Sequence, residues 1–228
     1  MTTLTVTAAE SGITFPGVLL QVVVLTGIAV SPIGATAIQS SSSSAPHEAS
    51  ITTTQTGSQV YAAAAAASTS VWTADANTTL YANQIDVSNG LGTGTGRSTS
   101  ATVTPGAITL GFSSPTGAGG LALCEILPSG TITEDASAPP AIYSGSSSTT
   151  VTTASFSPPG GSLLVAMVGA DASTSTVVTV SDSASLTWTQ QAVAQTSGAL
   201  YAGVWTAPVP GGPPPAAPTV LYQMRMMP

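Results

Sequence analysis

His47 is the single histidine of the chain and stands next to a run of five serines, Ser40–Ser44, in the segment Ala45-Pro-His-Glu48. Serine, histidine and a carboxylate are the parts of a nucleophilic triad, in which the imidazole takes the serine proton and the acid orients the ring. Serine is so abundant here that its nearness in sequence selects nothing. No Gly-x-Ser-x-Gly places a serine on a strained strand-to-helix turn. His47 is therefore read as a surface-loop residue, no catalytic residue is assigned, and the chain is expected not to be an enzyme. Cys124, the only cysteine, lies in the apolar run Leu121-Ala-Leu-Cys-Glu-Ile126. It reads as a small buried hydrophobe rather than a reactive thiol, and no intrachain disulfide can form.

Metal and cofactor chemistry finds little purchase. One Cys and one His cannot close a zinc site. Calcium needs several converging oxygens, and the acids are scattered. Glu134-Asp135 and the pair Asp171/Asp182 are the candidates to name, each read as solvated loop charge. Gly90-Leu-Gly-Thr-Gly-Thr-Gly96 resembles a phosphate loop only superficially, since it lacks both the dinucleotide spacing and the P-loop lysine. It reads as a flexible loop or hairpin tip, and no cofactor is expected. Asn77-Thr-Thr79 matches a glycosylation sequon, which carries meaning only in a eukaryotic secretory setting. Trp72, Trp188 and Trp205 are candidates for a glycan-stacking platform, although each sits in an alternating context where core packing is the default.

The elements that would position these residues follow from composition. Nine acids stand against two arginines and no lysine, giving a formal charge of −7 over 228 residues. Neutralising phosphates needs several Lys or Arg, so neither nucleic-acid binding nor attachment to an anionic membrane surface is expected. Only 5% of residues are charged while 43% are hydrophobic, which is not the composition of a disordered chain. The polar surface must come from Ser and Thr, which solvate without mutual repulsion and tolerate close packing against neighbours. Helix formers are scarce, and Thr and Val are abundant. The fold class is all-β, an antiparallel β-sandwich of jelly-roll or immunoglobulin-like type, as one large or two small sandwiches.

Period-two alternation supports this: Leu4, Val6 and Ala8; Ile108, Leu110 and Phe112; Leu186 and Trp188; Leu200, Ala202 and Val204. Gly17 to Val30 is the most apolar stretch, but it is interrupted and shorter than a membrane helix requires. It reads as doubly buried strand, and no membrane insertion is expected. The six alanines within Tyr61–Ala67 read as a strand packed closely on a neighbour. Ser40–Ser44 and Ser144–Thr150 read as flexible loops. The domain division expected is a β-sandwich over 1–133, a Ser/Thr/Pro-rich linker over 134–150, a second or completing half-sandwich over 151–212, and an extended tail over 213–228. Pro16-Gly-Val-Leu-Leu-Gln-Val-Val-Val24 echoes Gly160-Gly-Ser-Leu-Leu-Val-Ala-Met-Val168, and Val71-Trp-Thr-Ala74 recurs as Val204-Trp-Thr-Ala207, though at different offsets.

Thr179-Val-Ser-Asp-Ser-Ala-Ser-Leu-Thr-Trp-Thr189, with Ser162-Leu-Leu-Val165 before it and Val204-Trp-Thr-Ala-Pro-Val-Pro-Gly-Gly212 after it, resembles a β-sandwich module of minor tail and other virion proteins of actinobacteriophages. The resemblance covers residues 150–212 clearly and 1–130 loosely, and it carries no catalytic residues. It implies a phage virion structural protein, foremost a minor tail protein, with a capsid (head) decoration protein as one alternative. A carbohydrate-binding adhesion module, attaching to host-surface glycan, is the alternative from another class. The expected partners are other virion proteins and further copies of the chain. The expected location is the virion, assembled in the host cytoplasm, since Met1–Thr7 lacks the basic start and apolar core of a signal peptide. Strand order departs from the module as if rotated, which predicts that the N-terminal strands complete the C-terminal sandwich of this chain or of a neighbour. Val220–Pro228, with Met224, Arg225, Met226 and Met227, reads as an adaptable docking tail.

Overall fold

Thr- and Val-rich segments broken by Pro and Gly leave little choice but strand, and strands are what forms. The computed structural model describes residues 3–11, 17–145, 148–171, 177–196 and 200–211. Among these there is no helix, and the fold is an all-β, sandwich-like stack of antiparallel sheets. In chain order the strands are β1 (Val6–Ser11), β2 (Val18–Thr52), β3 (Gln59–Ala66), β4 (Thr73–Ala74), β5 (Thr78–Asp86), β6 (Leu91–Ser98) and β7 (Ala107–Glu134). They continue as β8 (Ile142–Tyr143), β9 (Thr150–Thr152), β10 (Leu163–Asp171), β11 (Val177–Asp182), β12 (Thr189–Thr196) and β13 (Leu200–Pro208). A small sheet has the order β11-β1-β9, and a large one runs β12-β13-β10-β2-β7-β3-β6-β5.

Three apolar cores lie in series, beside a smaller fourth cluster of Ala65, Leu91, Leu200 and Ala202. The inward face of the small sheet, Leu4 with Val6, Ala8, Val151, Val178 and Val180, packs on alternate residues of β2 and β10 (Val18, Leu20, Val22, Val24; Leu164, Ala166, Val168, Ala170). The opposite face of those two strands and β13 (Val23, Leu25, Leu163, Val165, Met167, Val204) packs on Tyr61, Ala63, Ala122, Cys124 and Ile126. The far side of β3 and β7 (Val60, Ala62, Ala64, Leu121, Leu123) then meets Ile51, Leu110, Phe112 and Trp72. Strands covered on both faces are apolar at nearly every position, which explains the run Leu163–Ala170 and the run Val18–Leu25, broken only by the half-buried Gln21. These runs hold the two echoing segments, and they pair with each other antiparallel, Leu20 opposite Val168 and Val24 opposite Leu164.

The strands β2 and β7 pass through more than one layer because bulges re-aim them. Their pairing shifts register between Thr26 and Thr36 and again between Ser41 and His47. At the first bend Gly27 has φ +73°, and a Cβ there would meet the Thr131 carbonyl oxygen at 2.0 Å, so only glycine fits.

Several expectations are corrected. Ser40–Ser44 lies inside β2 rather than in a loop, with Ser40 and Ser41 opposite Gly120 and Gly119. Gly90–Gly96 is a loop only at Gly90, and its remainder is β6, an interior strand between β3 and β5. Leu186 and Trp188 alternate in burial but precede β12 as loop. The alanine run is strand, as expected, with Ala62, Ala64 and Ala66 opposite Gly96, Gly94 and Gly92. The strands do not group as 1–133 against 151–212. β1 is the central strand between β9 and β11, and the start of β2 lies beside β10. Within residues 134–150, β8 pairs with Leu19 and Leu20. The N-terminal strands thus complete the C-terminal sandwich of their own chain, the first of the two arrangements that the rotated strand order predicted. Residues 213–228 lie outside the described residues.

Candidate functional site

His47 is fully buried, not on a surface loop. β2 turns it inward opposite Phe112. Its ring centroid lies 5.9 Å from that of Trp72, which in turn meets Phe112 edge-on at 5.0 Å. Among the described residues, neither ring nitrogen of His47 has a hydrogen-bond partner, and neither does Trp72 Nε1. Desolvation pushes the His47 pKa down to about 4, so the ring is neutral near pH 7. Among the described residues, no serine hydroxyl or carboxylate lies on either nitrogen. The signal for burial was available, because Ala45, His47, Ala49 and Ile51 keep one period-two face.

Arg97 and Glu134 form a second constellation. Arg97 projects from β6 and its Nε lies 3.0 Å from Glu134 Oε1 at the end of β7, with both side chains about one-third exposed or less (26% and 33%). The Tyr61 hydroxyl, from β3, reaches Glu134 Oε1 at 3.3 Å and Gln59 Oε1 at 3.1 Å. The Tyr81 hydroxyl, from β5, also donates to Glu134, and the Arg97 guanidinium lies over the Tyr81 ring at 5.9 Å. Burial pushes both phenol pKa values well up, helped at Tyr61 by Tyr81 and then Glu134, and at Tyr81 by the hydrogen bond to Glu134 and then its charge, so both stay protonated donors. Glu134 is therefore an anchored carboxylate rather than a solvated loop charge. Its partners come from three other strands, and no spacing along the chain announces them. Asp135 beside it accepts from Ser137 N at 2.8 Å, closing a turn.

Cys124 is buried as expected, and burial followed by the charge of Glu125 raises its thiol to about 12. Glu125 itself was not singled out from sequence. It is fully buried and accepts from Ala35 N (2.9 Å), Thr54 N (2.8 Å), Thr54 Oγ1 (2.9 Å) and Ser58 Oγ (2.6 Å). Desolvation works to raise its pKa, and these four bonds together outweigh it and lower the value. They tie the β2 bend and the β2–β3 turn to β7.

The three tryptophans do not make one platform. Trp72 is 3% exposed and offers no face to a sugar. Trp188 and Trp205 are half-buried against the first core. Trp188 Nε1 donates to Asp182 at 2.8 Å, and Trp205 Nε1 donates to the Tyr201 hydroxyl at 3.2 Å. Asp182 also accepts from Ala184 N and Leu186 N, which makes it the organiser of its loop, not a free charge. The side chain of Asp171 and residues Met224, Arg225, Met226 and Met227 lie outside the described residues. Among the described residues, no three His, Cys, Asp or Glu side chains come together. No family model, curated protein or solved structure matches the chain.

Proposed function

We propose that the chain is a virion structural protein of a bacteriophage, foremost a minor tail protein, which works by passive assembly against neighbouring subunits. One observation carries this reading. The outer face of the small sheet presents Thr7, Thr150, Thr152, Thr179 and Ser181 side by side, with Thr7 Oγ1 and Thr152 Oγ1 2.8 Å apart. This face carries mostly hydroxyls, with Ala9 and the exposed Val177 among them, and no charge. Covering it removes no ion from water. A neighbour that brings matching donors and acceptors can therefore pack on it at little desolvation cost. The resemblance of residues 150–212 to a tail-protein module supports the same reading.

The test is immunogold imaging of particles from a lysate of the source culture with an antibody to the chain. Label on the tail or its tip supports a minor tail protein. Label over the heads moves the assignment to a decoration protein, and absence of particle-bound label overturns the virion reading. Thr7→Glu combined with Thr152→Glu places charge on the outer face, and this variant should fold yet be lost from particles.

A further inference from the structure

A concave site that no sequence motif announced lies where the β6–β7 loop folds back over the start of β7. It encloses about 460 Å³ and is lined by residues that include Asn77, Ser98, Thr99, Thr102, Val103 and Ile108. That volume is within the range of small-molecule sites and suits about one to two pyranose rings.

The wall is built in advance. Thr99 N donates to Asn77 O at 2.8 Å, Thr102 N to Ser58 O at 2.8 Å, Gly57 N to Thr102 O at 2.7 Å, and Thr53 N to Gly106 O at 2.9 Å. Four backbone bonds hold the loop, so a ligand would not have to order it first. Asn77 Nδ2 is engaged with Thr109 O at 3.1 Å, which leaves the amide oxygen as an acceptor. The Thr53, Ser98 and Thr102 hydroxyls already hold Gly106, Val60 N and Ser58, and Ser100 and Thr104 of the lining add hydroxyls that can both donate and accept. Val103, 83% exposed, and Ile108 supply apolar contact. Every lining residue is neutral, so an ionic ligand would find no counter-charge there.

We propose that this cavity binds a neutral saccharide, its hydroxyls meeting Asn77 and the Ser/Thr wall and its C–H face meeting Val103. The site is separate from Trp188 and Trp205, and it goes beyond the assembly reading without depending on it. Particle labelling tests location, and sugar binding by the isolated chain tests this cavity.

The experiment uses the full chain. Maltose, cellobiose and lactose are screened at millimolar concentration by saturation-transfer NMR, and a glycan array adds neutral cell-wall polysaccharides beside sialylated and sulfated glycans. Retention of neutral sugars is expected, weakened about tenfold or more by Ala101→Arg, which fills the cavity from an exposed position. Thr104→Glu serves as a second blocking variant should the first lower the unfolding midpoint. Binding to polymer alone points to a surface glycan as the source, and binding to the free disaccharides as well points to the sugar unit itself. The proposal is overturned if no neutral sugar binds, if only charged glycans bind, or if binding survives both blocking variants.

Discussion

The indole Nε1 of Trp188 donates to Asp182 Oδ2 at 2.8 Å across a loop of five residues. The same carboxylate accepts Ala184 N at 2.6 Å and Leu186 N at 3.0 Å. One side chain thus takes up the backbone donors of Ala184 and Leu186, and Leu186 and Trp188 pack onto the first core. Asp182→Ala removes the acceptor for all three donors and should lower stability by about 2 kcal/mol. Asp182→Asn keeps one carbonyl oxygen and should lose about half of that. Urea unfolding of both variants, read beside tryptophan emission, checks the order of the two effects.

Glu125 should be far less tolerant. Its carboxylate holds four donors in a fully buried setting, and removing a buried charged partner strands the rest. Glu125→Ala should cost about 3–5 kcal/mol, and Glu125→Gln less. Its folded pKa is lowered, so its contribution is complete above the unfolded carboxylate value and is lost as pH falls through the folded one. Stability against pH for wild type and Glu125→Gln should therefore converge in acid.

His47 titrates with the same outcome for a different reason. Its unfolded value is 6.5 and its folded value about 4. Between these the unfolded chain binds the extra proton, so stability is full above pH 6.5, falls with pH, and levels off below about pH 4. The loss from pH 7.5 to 4.5 is about 2–3 kcal/mol. His47→Leu abolishes this component, and its stability curve should be flatter by that amount over the same range. Equal slopes in wild type and variant would show that His47 is not the group responsible.

Gly94 and Gly106 separate packing from loop composition. A Cβ at Gly94 would lie 2.8 Å from the Trp72 ring, whereas nothing lies within 4 Å of one at Gly106. Gly94→Val should cost about 2–4 kcal/mol through overpacking, and Gly106→Ala should stay within about 0.5 kcal/mol of wild type. Thermal midpoints of the two variants check the contrast.

These cases show which features the sequence could disclose. Alternation at Leu4/Val6/Ala8 and at Leu110/Phe112 was legible because one face of each is buried and the other is polar. The apolar stretch that holds Val18–Leu25 was legible as doubly buried, whereas Leu163–Ala170 was legible only as its echo. Ser40–Ser44 and Gly92–Gly96 were not, because strands that approach closely need small side chains, and small side chains give a strand the composition of a loop. Ser41 lies opposite Gly119 and Ala64 opposite Gly94, pairings visible only after folding. Conversely, Leu186 and Trp188 keep a strand-like rhythm in a loop because Asp182 imposes it. The Arg97–Glu134–Tyr61–Tyr81 cluster draws on four strands, and the saccharide-sized cavity depends on a loop docked by its backbone. Neither leaves a pattern along the chain.

The last prediction concerns the interlock of the two ends of the chain. β1 pairs with β11 through six residues, Val6 opposite Asp182 to Ser11 opposite Val177, and with β9 through three. It also buries Val6 and Ala8, with Leu4 just before it, in the first core. Removing residues 1–11 would leave β9 and β11 without their shared partner and open the apolar face of β10. The truncated chain should aggregate or unfold early, because two unpaired edges over exposed apolar surface attract other strands. A synthetic peptide of residues 1–11, added during refolding, should restore part of the solubility by occupying the vacant position between β9 and β11. A peptide with Val6→Asp and Ala8→Asp should fail, since charge would enter the core. Soluble, fully stable truncated protein without peptide would show that the C-terminal strands fold independently, and the interlock would then be ornament rather than structure.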